Sequence, residues 1–204
     1  MSSGVSSFAT PSTVVGQLWP SREDSRFAAL RIAALLAVGT ALLTLSAKIQ
    51  VPFYPVPMTM QTFVVLVLGA AYGWRLAGAT VALYLLEGAA GLPVFAGPVA
   101  GPAYLLGPTA GFLIGFLPAA MVTGFMAERG WGRSLLRITA MMLIGHAVIF
   151  GFGIGWLTTA MPFAKAWAVG FMPFLAATAL KTALAVAAMQ AAMGAVARRG
   201  DTGL

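Results

Sequence analysis

The segment GLPVFAGPVAGPAYLLGPTAGFLIGF, from Gly91 to Phe116, decides how the chain folds. It is apolar and uncharged, but three Gly-Pro pairs interrupt it, at 97–98, 101–102 and 107–108. Proline removes a backbone donor and disfavours a helical conformation at the residue before it, so the segment cannot be one continuous helix. Lipid cannot satisfy the polar backbone of an irregular segment. We therefore expect an apolar loop that lies against protein and acts as the lid of a binding site at one membrane face.

The composition predicts a membrane protein. Of 204 residues, 60% are hydrophobic and 8% are charged, whereas ordinary soluble domains have about 25% charged residues. At about 20 residues per span, this length allows roughly six helices. We predict them over residues 26–47, 58–72, 76–90, 110–127, 135–152 and 168–197. The expected fold class is an all-α integral membrane bundle of six transmembrane helices.

The predicted bundle is a single domain, residues 26–204, and a tail of residues 1–25 precedes it. The tail is rich in Ser, Gly and Thr, and we expect it to be cytoplasmic and largely disordered. A short amphipathic piece near Val14–Trp19 is the part of the tail that we expect to lie on the membrane.

The basic residues predict the orientation. One face of the predicted bundle receives Arg22, Arg26, Arg31, Arg75, Arg129, Arg133, Arg137, Arg198 and Arg199, and the other receives Lys48 and Lys165. The positive-inside rule then places both termini in the cytoplasm and the three long loops outside. This distribution also accounts for the net charge of +7, so a nucleic-acid partner is not needed to explain it.

The sequence disfavours several kinds of chemistry. It has no cysteine and one histidine, His146, which excludes thiolate and multi-histidine metal sites. Glu87 is the one acidic residue within an apolar segment, so paired-carboxylate catalysis is not expected. We predict a protein that is not an enzyme and that needs neither metal nor cofactor, and we expect His146 to be a packed, hydrogen-bonded residue.

Lys181 is the most informative single residue because it lies inside an apolar segment. A lysine in a membrane segment is costly and usually faces a cavity or a partner. Thr178, one turn earlier, is neutral, so the counter-charge would come from Glu87 or from an anionic ligand. Two alternatives stay open: Lys181 snorkels to the interface, or Glu87 accepts a hydrogen bond from a substrate N–H group instead of pairing with the lysine.

Four uncharged residues complete the candidate substrate site. Gln61 is a polar group at the start of the second predicted helix, and Phe95 lies in the apolar loop. Tyr84 and Tyr104 are candidates to line a cavity, although aromatic residues in apolar segments commonly serve packing.

Small residues recur along the first helix at Ala29, Ala33, Ala37 and Ala41. A spacing of four residues places them on one stripe of the helix. The stripe either packs closely against another helix of this chain or forms a docking face for a separate membrane subunit.

Three motifs resemble one family. They are VPFYPVPMTMQTF (51–63), YLLEGAAGLPVFAG (84–97) and GPTAGFLIGF (107–116). The sequence is similar over residues 26–197 to the BioY family, the biotin-specific substrate-binding (S) component of energy-coupling-factor (ECF) transporters. The resemblance implies a six-helix protein of the bacterial inner membrane that captures biotin with high affinity from outside, in a cavity roofed by the first and third loops.

The resemblance also implies partners, namely a transmembrane coupling subunit and two cytoplasmic ATPase subunits, with Ala29, Ala33 and Ala37 as the docking stripe. The family pattern P-F-x-x-G-D-x-x-K is matched at Pro173, Phe174 and Lys181. Ala177 and Thr178 stand where the pattern has Gly and Asp. The alternatives are a stand-alone biotin facilitator or a membrane enzyme acting on a small amphipathic lipid.

Overall fold

A computed structural model describes residues 13–20, 25–52, 54–97 and 100–201. These residues form a helical bundle with one short β-hairpin. The helices are α1 (Val14–Leu18), α2 (Ser25–Lys48), α3 (Gln61–Tyr72), α4 (Trp74–Ala89), α5 (Pro102–Leu105), α6 (Ala110–Glu128), α7 (Leu135–Leu157), α8 (Phe163–Gly170) and α9 (Leu175–Asp201). The strands are β1 (Gln50–Val51) and β2 (Met58–Thr59), and 3-10 turns cover Trp131–Arg133 and Met172–Phe174.

Within the described ranges, four helical stretches are long and apolar enough to cross a membrane. They are Arg26–Lys48, Ala110–Glu128, Leu135–Leu157 and Phe163–Arg198. The predicted second and third helices are present as α3 and α4, with 12 and 16 residues. The all-α membrane class is therefore confirmed, and the number of helices that cross the bilayer stays a prediction.

Two predicted helix starts are wrong. The second helix begins at Gln61 rather than at Met58, because Met58 and Thr59 pair antiparallel with Val51 and Gln50. The last helix does not run unbroken from residue 168. Pro173 has no backbone N–H to continue a helix, and the chain forms α8 and a 3-10 turn before α9 begins at Leu175.

The end of the fifth predicted helix is also wrong. Helix α7 continues past Phe152 to Leu157. The added turn is apolar and precedes the next proline, Pro162, by several residues, so nothing in the backbone chemistry stops the helix at residue 152.

Part of the predicted tail is folded. Thr13 caps α1 through its side chain, which accepts a hydrogen bond from Gly16 N at 3.2 Å. Val14 is 6% exposed, and α1 packs against α3 and α9. Burial of this apolar turn explains why residues 13–20 are not a loose tail. The rest of the prediction, for residues 1–12 and 21–24, lies outside the described residues.

Helix α6 is the centre of the bundle and packs against α3, α4 and α7. A glycine permits its closest approach to α3. A Cβ atom on Gly69 would overlap the hydroxyl of Thr123 and would lie 2.7 Å from the carbonyl oxygen of Ala120. Small residues at a helix interface let backbones approach closely, which is the usual way in which membrane helices associate.

The apolar segment between α4 and α6 is not one continuous helix, as predicted, although it contains the helical turn α5. Part of it packs on protein. Phe95 is fully buried, and its ring fills the space above Gly88, where any Cβ atom would overlap it. The amine of Lys48, the last residue of α2, donates to the carbonyl oxygens of Phe95 at 2.7 Å and of Gly97 at 3.4 Å. The loop is therefore held to both α4 and α2.

We predict that Gly88→Ala destabilises the protein. The added methyl group displaces Phe95 from its position, and overpacking of this kind costs about 1–3 kcal/mol. Thermal unfolding of the detergent-purified protein should show a lower midpoint. Gly151→Ala is the matched control, because Gly151 is also helical and has no atom within 4 Å of an added Cβ. Equal midpoints for the two variants would contradict the packing described here.

Candidate functional site

A partly enclosed void lies between α3, α6, α7, α9 and two loops. Its lining is mostly apolar, with a few polar side chains. The lining residues are Val56, Pro57, Thr59, Gln61, Thr62, Ala96, Tyr104, Thr109, Phe112, Leu113, Phe116, Ile149, Phe150, Phe174, Thr178 and Lys181. An apolar cavity with a small number of placed polar groups is typical of small-molecule sites.

Aromatic rings form much of the wall. Phe112 and Phe116 are four residues apart on α6 and so lie on one face of that helix. Phe150 of α7 meets Phe112 and Phe174 edge-on, with ring centroids 6.3 and 6.2 Å apart. Such edge-to-face contacts fix the rings relative to one another. The cavity wall is thus preformed for a compact apolar group.

Lys181 is the one cation among the described residues that line the cavity. It is 6% exposed, and its amine donates to the carbonyl oxygen of Thr59 at 2.7 Å and to the hydroxyl of Thr62 at 3.3 Å. Both partners are neutral. Because an ammonium group has three N–H donors, one donor remains for a ligand. The snorkelling alternative is wrong, since the amine is turned into the protein.

Glu87 does not supply the counter-charge. It is not among the residues that line the cavity, and no ion pair joins it to Lys181 in the part of the chain that the structure describes. The reason is helix packing, since α4 packs against α2, α3 and α6 whereas α9 packs against α3 and α7. Thr178, by contrast, lines the cavity one turn before Lys181.

Gln61 and Tyr84 connect the cavity to the apolar loop. The amide nitrogen of Gln61 donates to the hydroxyl of Tyr84 at 2.7 Å, and that hydroxyl donates to the carbonyl oxygen of Val94 at 3.0 Å. The hydroxyl of Thr59 donates to the amide oxygen of Gln61 at 3.2 Å. Gln61 lines the cavity, whereas Tyr84 is fully buried behind it. Tyr84 therefore supports the loop.

Phe95 and Tyr104 stack at the loop with centroids 5.0 Å apart and planes at 22°. The ring of Tyr84 meets the ring of Phe95 edge-on, with the two centroids 5.5 Å apart. Tyr104 lines the cavity, and Phe95 lies behind it. Burial raises the pKa of Tyr104 from its ordinary value, so at neutral pH its hydroxyl is protonated and can donate a hydrogen bond to a ligand.

The structure thus brings four of the seven predicted substrate residues to one cavity: Gln61, Tyr104, Thr178 and Lys181. Tyr84 and Phe95 hold the α4–α6 loop in place. Glu87 is not among the residues that line the cavity. Sequence reasoning missed the aromatic wall, although Phe112 and Phe116 carry the signal of helical spacing. It also missed Lys48 as an anchor of the loop.

His146 is packed as predicted. It is 2% exposed, and its Nδ1 lies 2.9 Å from the carbonyl oxygen of Met142, one turn earlier on α7. A carbonyl oxygen only accepts, so Nδ1 is the protonated nitrogen in this contact.

The alanine stripe of α2 faces outward. Ala29, Ala33 and Ala37 are all exposed. The opposite face of α2 packs on the bundle, where the carbonyl oxygen of Leu35 accepts a hydrogen bond from the hydroxyl of Tyr72 at 3.1 Å. The alternative of packing within the chain is therefore wrong for these three alanines.

A sequence model of the BioY family matches residues 20–198. The chain belongs to the BioY family. Its relatives include the probable biotin transporter BioY of Pyrococcus horikoshii, 38% identical over 75% of this chain and 90% of the relative. The biotin transporters BioY of Thermotoga maritima and Rhizobium etli are 39% and 36% identical, over 68% and 80% of this chain and 81% and 92% of those proteins.

The fold is also known from a crystal structure. The S-component for biotin from an ECF-type ABC transporter superposes with a TM-score of 0.72, covering 83% of this chain and 93% of that one. The sequence identity is 21%, so this likeness speaks for the shared fold. It agrees with the helical bundle expected of a BioY member.

We predict that Tyr84→Phe loosens the apolar loop. Loss of the hydroxyl leaves the buried amide of Gln61 and the carbonyl of Val94 without their partner, which costs about 1–3 kcal/mol. The loop should become more sensitive to proteolysis, and the unfolding midpoint should fall. Tyr54→Phe removes a hydroxyl from a residue that is 93% exposed and should change neither. Equal behaviour of the two variants would contradict an anchoring role for Tyr84.

Proposed function

We propose that this chain binds biotin with high affinity and serves in its uptake, as the substrate-binding component of an ECF-type transporter. The observation that carries the proposal is the aromatic cavity with Lys181 at its polar side, in a chain of the BioY family whose relatives bear the name of biotin transporters. The family is one of transporters, and no catalytic role is assigned to any residue here.

The chemistry of biotin suits the lining. Its fused ring and valeryl chain are compact and apolar, and the walls at Phe112, Phe116 and Phe150 offer matching surface. Its ureido group has two N–H donors and one carbonyl acceptor. Gln61, Thr109 and Tyr104 present neutral donors and acceptors at the loop side of the cavity.

The charge balance of the cavity favours a monoanionic ligand. Lys181 has two neutral hydrogen-bond partners and no acidic one among the lining residues that the structure describes. A buried charge is costly unless it is paired. We therefore assign the biotin carboxylate to the amine of Lys181, with Thr178 beside it as a neutral hydrogen-bonding group in place of the family's aspartate.

The orientation in the bacterial inner membrane is part of the proposal. The loops that line the cavity lie at the end of the bundle that carries Lys48. The turns at Arg75, Arg129 and Arg133 lie at the other ends of the same helices. We propose six spans with both termini in the cytoplasm. The cavity then lies at the outer face, and the α4–α6 loop acts as its lid.

Energy would come from other chains. The sequence contains no G-x-x-x-x-G-K-(S/T) segment for nucleotide phosphates. The exposed stripe at Ala29, Ala33 and Ala37 offers a close-packing face to a transmembrane coupling subunit, which would bring two cytoplasmic ATPases. The exposure of this stripe favours a coupled component over a stand-alone facilitator.

We predict that Lys181→Ala weakens biotin binding strongly and Lys165→Ala does not. Losing a buried charge partner costs about 3–5 kcal/mol, so titration calorimetry of the detergent-purified protein should show a loss of at least about a hundredfold in affinity. Lys165 is an exposed lysine of α8 and serves as the matched control. Absence of saturable biotin binding to the unmodified chain would refute the proposed function itself.

The methyl ester of biotin tests the assignment of the carboxylate in the same titration. We expect the ester to bind the unmodified chain more weakly than biotin does, and the Lys181→Ala variant to bind both alike. Equal binding of ester and acid to the unmodified chain would overturn the carboxylate assignment while leaving biotin as the substrate.

We predict that Ala33→Trp prevents assembly with the coupling subunit and the ATPases. A bulky ring on the stripe stops close approach of helices, whereas biotin binding to the separate chain should persist because the stripe faces away from the cavity. Co-purification of the subunits measures assembly. Ala147→Trp, at an exposed alanine of α7, is the control. Loss of assembly in both variants, or in neither, would contradict docking through the stripe.

A further inference from the structure

A second groove lies on the outside of the bundle, beside the first turns of α2. It has a volume of about 820 Å3 including its open side. The lining residues are Trp19, Pro20, Phe27, Leu30, Arg31 and Ala34. Among the described residues, the lining of the groove is therefore apolar except for one guanidinium group. The groove lies away from the cavity proposed for biotin.

Arg31 is 5% exposed, although it lies within an apolar helix. Its Nη2 donates to the carbonyl oxygen of Val15 at 3.3 Å. Its Nε is buried and has no hydrogen-bond partner, and no carboxylate of the described residues pairs with the group. A buried cation with an unused donor is unfavourable unless an anion completes it.

The guanidinium group suits a phosphate. Its N–H donors form a planar fork that matches two oxygens of a phosphate group, and Nε is one edge of that fork. The guanidinium carbon lies 5.7 Å from the centroid of the Trp19 ring. Tryptophan is enriched at the boundary between lipid and water, which is the depth of a phospholipid headgroup.

The apolar lining points to a lipid. Ala34, which lines the groove, and Val38, which is 53% exposed, follow Arg31 by three and seven residues and so continue the same face of α2 towards the middle of the helix. An acyl chain covers such a surface, whereas a free phosphate ion makes no use of it. The arginine distribution also assigns this end to the cytoplasmic side, where anionic lipids are present.

We propose that this groove binds one anionic phospholipid, with its phosphate on Arg31 and an acyl chain along Ala34 and Val38. The inference requires that the chain spans a membrane, and it is independent of biotin. The headgroup charge supplies an anion that none of the described residues offers to Arg31.

Native mass spectrometry of the full chain in a neutral detergent tests the proposal. The probes are phosphatidylglycerol and phosphatidylcholine with identical acyl chains. We expect one phosphatidylglycerol to be retained with roughly fivefold preference, since one basic residue contributes about 1 kcal/mol towards an anionic lipid. Arg31→Gln should remove this preference. Arg137→Gln makes the same charge change at an exposed position of α7 and should keep it.

Three results would overturn the proposal: no preference in the unmodified chain, an unchanged preference in Arg31→Gln, or an equal loss in Arg137→Gln. Inorganic phosphate that displaces the phosphatidylglycerol at millimolar concentration would identify an ion site instead of a lipid site. Thermal unfolding checks that Arg31→Gln is folded. If it is not, Arg31→Lys keeps the charge without the fork and should retain a reduced preference, whereas no preference in that folded variant would count against the site.

Discussion

The arrangement of the bundle depends on the burial of Lys181, a lysine within an apolar helix. An ammonium group among apolar helices needs hydrogen-bond acceptors, and Lys181 finds two, at Thr59 and Thr62. These contacts join α9, near the end of the chain, to the hairpin and the first turn of α3. They fix one side of the cavity and leave the charge without an acidic partner among the described residues. The same amine therefore holds α9 against the hairpin and α3, and its unpaired charge favours the binding of an anionic ligand.

Close helix contacts make the rest of the cavity possible. With Gly69 against Ala120 and Thr123, α3 and α6 lie nearly backbone to backbone. At the other end of α6, large rings such as Phe112 and Phe116 replace small residues. Helices that touch at one end and are separated by aromatic side chains at the other leave a void between them. The distribution of small and large residues along α6 thus determines where a ligand fits.

The sequence was sufficient for features that depend on local chemistry. The Gly-Pro pairs predicted a break in the helix between residues 91 and 116. Lys181, isolated in an apolar segment, predicted the polar side of a cavity. It was insufficient where two distant segments had to be known as neighbours. Glu87 looked like a partner for Lys181, but α4 and α9 do not pack as neighbours. Helix α3 begins at Gln61 rather than at Met58 because β1 and β2 pair. The sequence assigns Lys48 to one face of the bundle but does not indicate that it holds the loop.

Helix α2 links the proposed docking face to the loop over the cavity. Its outward face bears the alanine stripe, and its last residue, Lys48, holds the loop over the cavity through the carbonyls of Phe95 and Gly97. A helix of 24 residues transmits displacement along its axis. If docking shifts α2, the loop shifts with it, and reciprocity then requires that the ligand and the coupling subunit change each other's affinity by the same factor. In the proposed ECF assembly, a ligand-bound and a ligand-free chain would then bind the coupling subunit with different affinities.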